Sequence, residues 1–104
     1  MRWSVTRSKA DVRLLRRAEA DLVAIARFTI SRFGAEQSRR YRDGLMASID
    51  ALARHPLMGT DLGHIRPNLR RHIWQGHSIY YRATDHGVVI QRILGPGQDP
   101  MRHC

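Results

Sequence analysis

The side chains best equipped for chemistry lie close together in the last third of the chain. Arg70, Arg71, His72, His77, Arg82 and Arg92 are interleaved with Trp74, Tyr80 and Tyr81, and Arg102 and His103 follow. Guanidinium groups hold phosphate or carboxylate through paired hydrogen bonds, which a lysine ammonium does not reproduce. Cations gripping a scissile phosphate beside a tuned Lys, His, Glu or Tyr would make a metal-free ribonuclease. The available cast is Arg82, Arg92, Tyr80, Tyr81 and His103. It is incomplete, because the run from 69 to 94 has no Lys and no Glu, and its acid, Asp85, falls in a turn.

Other reactions have less behind them. His55, His64, His72, His77, His86 and His103 show none of the close spacings of a zinc site, although His72 and His77 flank the Gln75-Gly76 turn. Ser31, Ser48 and Ser78 lack the Gly-x-Ser-x-Gly setting of a nucleophile. Gly95-Pro96-Gly97 does not lead into a helix, and Pro96 removes a donor that a phosphate cradle needs. We therefore expect no catalytic residue, no metal and no cofactor, and a surface that recognises an anion rather than an enzyme.

These cations are set by a meander. Three runs rich in β-branched and aromatic residues, between Leu69 and Leu94, are separated by Gln75-Gly76 and by Thr84-Asp85-His86-Gly87. Side chains alternate across a strand, so Tyr80 and Arg82 share one face and Ile79 and Tyr81 the other. The same rule places Arg92 with Val88, Ile90 and Leu94, on a largely apolar face where a cation needs an anionic partner. Asp99 in the tail is one candidate partner; a bound anion is the alternative.

Ahead of the meander the apolar period is helical. Leu22, Ile25, Phe28 or Thr29, and Phe33 form one stripe in a helix from Ala18 to Gly34, with Glu19 and Asp21 in its first turn and Arg32 in its last. A second helix runs from about Ala35 to Arg54, with Tyr41, Leu45, Ile49 and Leu52 as its stripe. It ends where His55 precedes Pro56. One or two linking residues make an αα-hairpin. Residues 57–68 read as loop, Asp11 to Leu15 as a first strand, and residues 1–10 as an N-terminal extension to a single domain over 11–104. The expected fold is α+β, in the order β-α-α-β-β-β, with the hairpin packed on a small, mainly antiparallel twisted sheet.

The 104 residues are 42% hydrophobic, enough for one core and against disorder. A formal charge of +9, carried almost wholly by arginine with Lys9 the one lysine, favours an acidic protein, nucleic acid or anionic membrane as partner. The lone Cys104 excludes an intrachain disulfide and fits a reducing cytoplasm. No apolar run approaches the ~18 residues of a membrane span, and residues 1–10 lack the core of a signal peptide.

Seven short stretches carry a resemblance: Arg17-Ala-Glu-Ala-Asp-Leu-Val-Ala-Ile25, Tyr41-Arg-Asp-Gly-Leu45, His55-Pro-Leu-Met-Gly59, Arg66-Pro-Asn-Leu-Arg70, Ile79-Tyr-Tyr-Arg82, Val89-Ile-Gln-Arg-Ile-Leu94 and Asp99-Pro-Met-Arg-His103. In order and separation they resemble the RelE/ParE toxins of bacterial toxin–antitoxin modules, most closely the ParE branch, from about Val12 to the end. The chain departs from that pattern in starting about ten residues early and in having Gly95-Pro-Gly97 where a longer polar link is common. The resemblance implies a cytoplasmic toxin that inhibits DNA gyrase by protein–protein binding. It also implies a hetero-oligomer with a ParD-like ribbon-helix-helix antitoxin, through which alone the toxin would meet DNA. The alternative is a RelE-like ribosome-dependent mRNA endoribonuclease, whose lysine-rich basic set this chain lacks. On this reading the antitoxin's acidic arm would contact Leu22, Ile25, Phe28, Tyr41, Leu45, Arg70, Arg71, Trp74, Tyr80 and Arg82. The target would meet Arg92, Arg102 and His103.

Overall fold

In the computed structural model, which describes residues 11–95, seven elements follow one another: β1 (Asp11–Leu14), α1 (Arg16–Phe33), α2 (Ala35–Arg54), β2 (Thr60–Asp61), β3 (Leu69–Trp74), β4 (His77–Ala83) and β5 (Gly87–Leu94). The strands form one sheet in the order β1-β5-β4-β3-β2. β1 runs parallel to β5 and every other pairing is antiparallel. This is the expected α+β architecture with one strand more.

The helix boundaries follow from local chemistry. Gly34 closes α1, its N–H bonding the Ile30 carbonyl at 2.9 Å, and its own carbonyl accepts the Ser38 N–H that opens α2. That single residue makes the hairpin turn. α2 stops at His55, whose N–H reaches Ala51 O at 2.9 Å, because Pro56 follows. Between β3 and β4, Gln75 and Gly76 both take positive φ, 50° and 82°, the type I′ geometry that matches strand twist.

The two helices meet the sheet unequally. α2 buries Leu45, Ile49 and Leu52 completely, against Val12, Leu14, Ile79, Tyr81, Val88, Ile90 and Ile93. Burial of a Leu or Ile side chain stabilises by roughly 1.5–3 kcal/mol, so α2 anchors the hairpin. α1 buries only Ala18 and Thr29, with Leu22 and Ile25 half in, and exposes Val23, Phe28, Ile30 and Phe33. The expected stripe through Phe28 and Phe33 is therefore corrected: the buried side of α1 passes through Ala18 and Thr29, and the two phenyl rings lie outside the core.

Two other expectations are corrected. Residues 57–68 are more than loop, since Thr60 and Asp61 pair with Arg71 and Arg70 as β2. Leu62 and Ile65 then fold over the sheet's second face against Leu69, Tyr80 and Leu94. A two-residue strand with both side chains exposed has no alternation to read. In β5, the register passes from Tyr81↔Ile90 to Tyr80↔Arg92, leaving Gln91 as a bulge. The extra residue switches parity, so Ile93 joins Val88 and Ile90 in the helix-side core while Leu94 joins Tyr80 on the other side. Leu94 therefore leaves the face of Val88 and Ile90 on which alternation places it, while Arg92, opposite Tyr80, reaches Asp21 of α1.

Candidate partner-binding groove

Because α1 leaves its outer apolar residues uncovered, a groove of about 390 Å³ opens between the hairpin and the end of β5. Ala24, Ile25, Phe28, Thr29 and Phe33 of α1 form one wall. Tyr41, His77, Ile93 and Gly95 form the other, and Asp21 closes one end. Phe28 and Phe33 are 59% and 62% exposed. The polar group within the α1 wall is already satisfied, for the Thr29 hydroxyl donates to Ile25 O at 2.6 Å. The Arg32 guanidinium sits 5.5 Å from the Phe28 ring centre, placing a cation on the rim of an apolar surface.

The inner wall is held by an aromatic clasp. Trp74 and Tyr41 meet edge-to-face at 4.8 Å, and the Tyr41 hydroxyl shares a 2.7 Å hydrogen bond with His77 Nδ1. Gly44 permits this approach, since a Cβ there would lie 2.7 Å from the Trp74 ring. Burial raises the pKa of the Tyr41 phenol and lowers that of His77, the Gln75 backbone opposing the shift at His77. Burial thus favours the neutral imidazole of His77 in the fold. The unfolded chain takes up the proton first, so its contribution is complete above the usual histidine range near 6.5 and is lost as pH falls through it. Denaturant midpoints of the wild type should decline from about pH 7.5 to 5, and His77→Gln should flatten that limb. Superimposable limbs would assign the decline to other groups.

The closed end is an ion pair. Arg92 Nε donates to Asp21 Oδ2 at 2.9 Å and Arg92 Nη2 to Oδ1 at 3.0 Å, while the Ile93 N–H donates to Oδ2 at 2.8 Å. The two side chains are 11% and 14% exposed. Asp21 is therefore an anionic partner that the strand pattern demanded of Arg92; Asp99, together with Arg102 and His103, lies outside the described residues.

The remaining expected site residues divide by environment. Leu22, Ile25, Phe28, Tyr41 and Trp74 gather around or behind the groove. Leu45 and Tyr80 are fully buried and offer no surface to a partner; their contribution is to hold the elements in place. Arg70 Nη1 donates to Gly59 O at 2.7 Å and Leu57 O at 3.3 Å, fixing the loop after α2. Tyr81 fastens the same loop, donating to Pro56 O and accepting from the Gly59 N–H, both at 2.8 Å. Burial also raises the pKa of this phenol, despite the Gly59 N–H and Arg70. Arg71 and Arg82 lie apart from the groove on the sheet's second side. Asp21, Phe33, His77 and Ile93 were not among the expected contact residues. The Phe33 spacing on α1 was the one signal in the sequence, and it pointed to core.

No helix among the described residues is long and apolar enough to cross a membrane. Residues 12–100 match the sequence profile of the family described as ParE toxin of type II toxin-antitoxin system, parDE. The chain is similar to Toxin ParE1 of Caulobacter vibrioides, 36% identical over 91 residues that cover 88% of this chain and 94% of the relative. It is also similar to Toxin ParE1 of Mycobacterium tuberculosis, 32% identical with 83% and 89% covered. In fold it is similar to a chain of the structure titled chromosomal ParDE TA system from P. aeruginosa. There the TM-score is 0.71 at 20% identity, over 85% of this chain and 97% of that one.

Proposed function

This chain belongs to the ParE toxins of type II toxin–antitoxin systems, and we propose that it acts in the cytoplasm by binding DNA gyrase until a ParD-like antitoxin wraps it. The observation that carries the antitoxin half is the open groove with two exposed phenyl rings in a chain of charge +9. An acidic amphipathic arm folding onto it would seat apolar anchors at helical spacing beside Phe28, Phe33 and Ile25. Its carboxylates would meet arginines such as Arg32 on the rim. Leu22, Tyr41 and Trp74 would support that contact from behind.

Action by contact rather than catalysis is supported by what the ribonuclease cast does in the fold. Arg92 is committed to Asp21, Tyr81 to the Pro56–Gly59 loop, and Tyr80 is 2% exposed. Each has a structural role that a transferred proton or a bound scissile phosphate would disturb. The test is gyrase supercoiling with and without purified toxin. The expected result is dose-dependent loss of supercoiling that the cognate antitoxin restores. Intact supercoiling at saturating toxin would remove gyrase as the target, and codon-linked mRNA cuts that vanish in Arg82→Ala would put ribosome-dependent cleavage in its place.

A further inference from the structure

The groove uses the helix side of the sheet, and the opposite face carries cations that lie away from it and outside the core. Register defines them. Arg71 stands across from Tyr80, and Arg82 across from Leu69, in the β3–β4 ladder. Arg82 then stands across from Val89, and Val89 across from Arg13 of β1. Val12 and Leu14, either side of Arg13, are in the helix-side core, and so is Tyr81, between Tyr80 and Arg82. Alternation therefore puts Arg13, Arg71 and Arg82 together on the second face.

Nothing in the described structure neutralises them. Glu36 is paired with Arg40 and Asp21 with Arg92, so neither of these acids serves the three arginines. Arg71 Nε is buried with no hydrogen-bond partner, so no acceptor of the fold holds that end of the guanidinium. By alternation, Asp11 at the margin is the acid that the described strands present on this side. From β3 to β1 is three strand spacings, roughly 14 Å, and diagonal neighbours such as Arg71 and Arg82 lie about 7–8 Å apart. That is a row of guanidinium groups on a rigid sheet, suited to an anion that repeats along a line.

We infer that this face binds the phosphodiester backbone of a nucleic acid, with Arg13, Arg71 and Arg82 each meeting a phosphate. A peptide arm is the poorer occupant, because Leu62 and Ile65 already cover Leu69, Tyr80 and Leu94, and Ile73, 58% exposed towards the end of β3, stands as an isolated anchor. Base stacking is also poorly served, since the Tyr80 ring is covered, so a duplex that offers only its backbone fits best. The inference stands apart from the gyrase reading and is tested without gyrase.

Full-length toxin is titrated into a fluorescent DNA duplex of about 20 base pairs, and separately into single-stranded RNA, between about 50 and 200 mM salt. Each phosphate contact adds about 0.9 to the slope of log K against log salt for a duplex. Arg13→Gln, Arg71→Gln and Arg82→Gln should each weaken duplex binding and lower the slope by about 1, whereas Arg39→Gln, an exposed charge on α2, should leave it near wild type. RNA binding with the same dependence on these three arginines supports the site and names RNA as a source of the backbone. Equal losses from Arg39→Gln, or no binding at the lowest salt, overturn it. Arg13 is exposed, so its variant reads the site even if Arg71→Gln unfolds the sheet.

Discussion

Phe28→Ala and Phe33→Ala together should weaken capture of the cognate antitoxin at least thirtyfold while leaving unfolding of the free toxin unchanged. A centrally seated aromatic anchor is worth about 2 kcal/mol or more at an interface, which is some thirtyfold in Kd. In the free protein both rings are more than half exposed, so their removal uncovers little apolar area. Alanine is the better helix former, and it offsets the small loss of the Arg32–Phe28 contact. The comparison is Ile30→Ala, a half-exposed residue of the same helix that does not line the groove. Calorimetric titration with antitoxin, beside thermal unfolding of the free variants, separates the outcomes. Wild-type affinity in the double variant would place the docking surface elsewhere. A large fall in Tm would mean that the rings support the fold as well.

The same two residues show what could be read from the chain and what could not. The hairpin was legible because its punctuation is local: Gly34 between two helical periods, Pro56 after the second, and Leu45, Ile49 and Leu52 at steps that cannot avoid the core. The meander was legible from Gln75-Gly76 and from its β-branched runs. Phe28 and Phe33 fall at helical spacing too, but spacing names a face without saying whether anything covers it. Only the packing of Ala18 and Thr29 rotates them outward. The bulge at Gln91 is likewise silent in the sequence, because one additional residue changes the side of everything after it without altering composition. Arg71 and Arg82 are expected from the meander to meet the same acidic arm as the hairpin's apolar residues, and the register sets them on the side of the sheet away from the hairpin, which spacing alone does not show. The partner of Arg92 was a well-posed question with an unreadable answer, for Asp21 lies 71 positions away and looks like an ordinary first-turn acid.

That pair carries the largest expected effect on stability. Asp21→Asn should lower unfolding free energy by about 3–5 kcal/mol, since it leaves a largely buried guanidinium without its counter-charge. Against a total of about 5–15 kcal/mol for a domain of this kind, much of the population would unfold near growth temperature. The carboxylate does three things at once: it takes two bonds from Arg92 and one from the Ile93 N–H, so α1 is tied to β5 just beyond the bulge. An amide can replace one acceptor but turns an N–H toward the guanidinium, so shape is kept and charge complementarity is lost. The double change Asp21→Leu with Arg92→Met should recover much of the deficit, because removing both charges removes the desolvation problem that either alone creates. Urea unfolding of the two singles and the double forms a thermodynamic cycle, and the expected coupling is large and favourable. Losses that simply add would show that the pair tolerates separation, and that the closed end of the groove is held by packing around Ile25 and Ile93 instead.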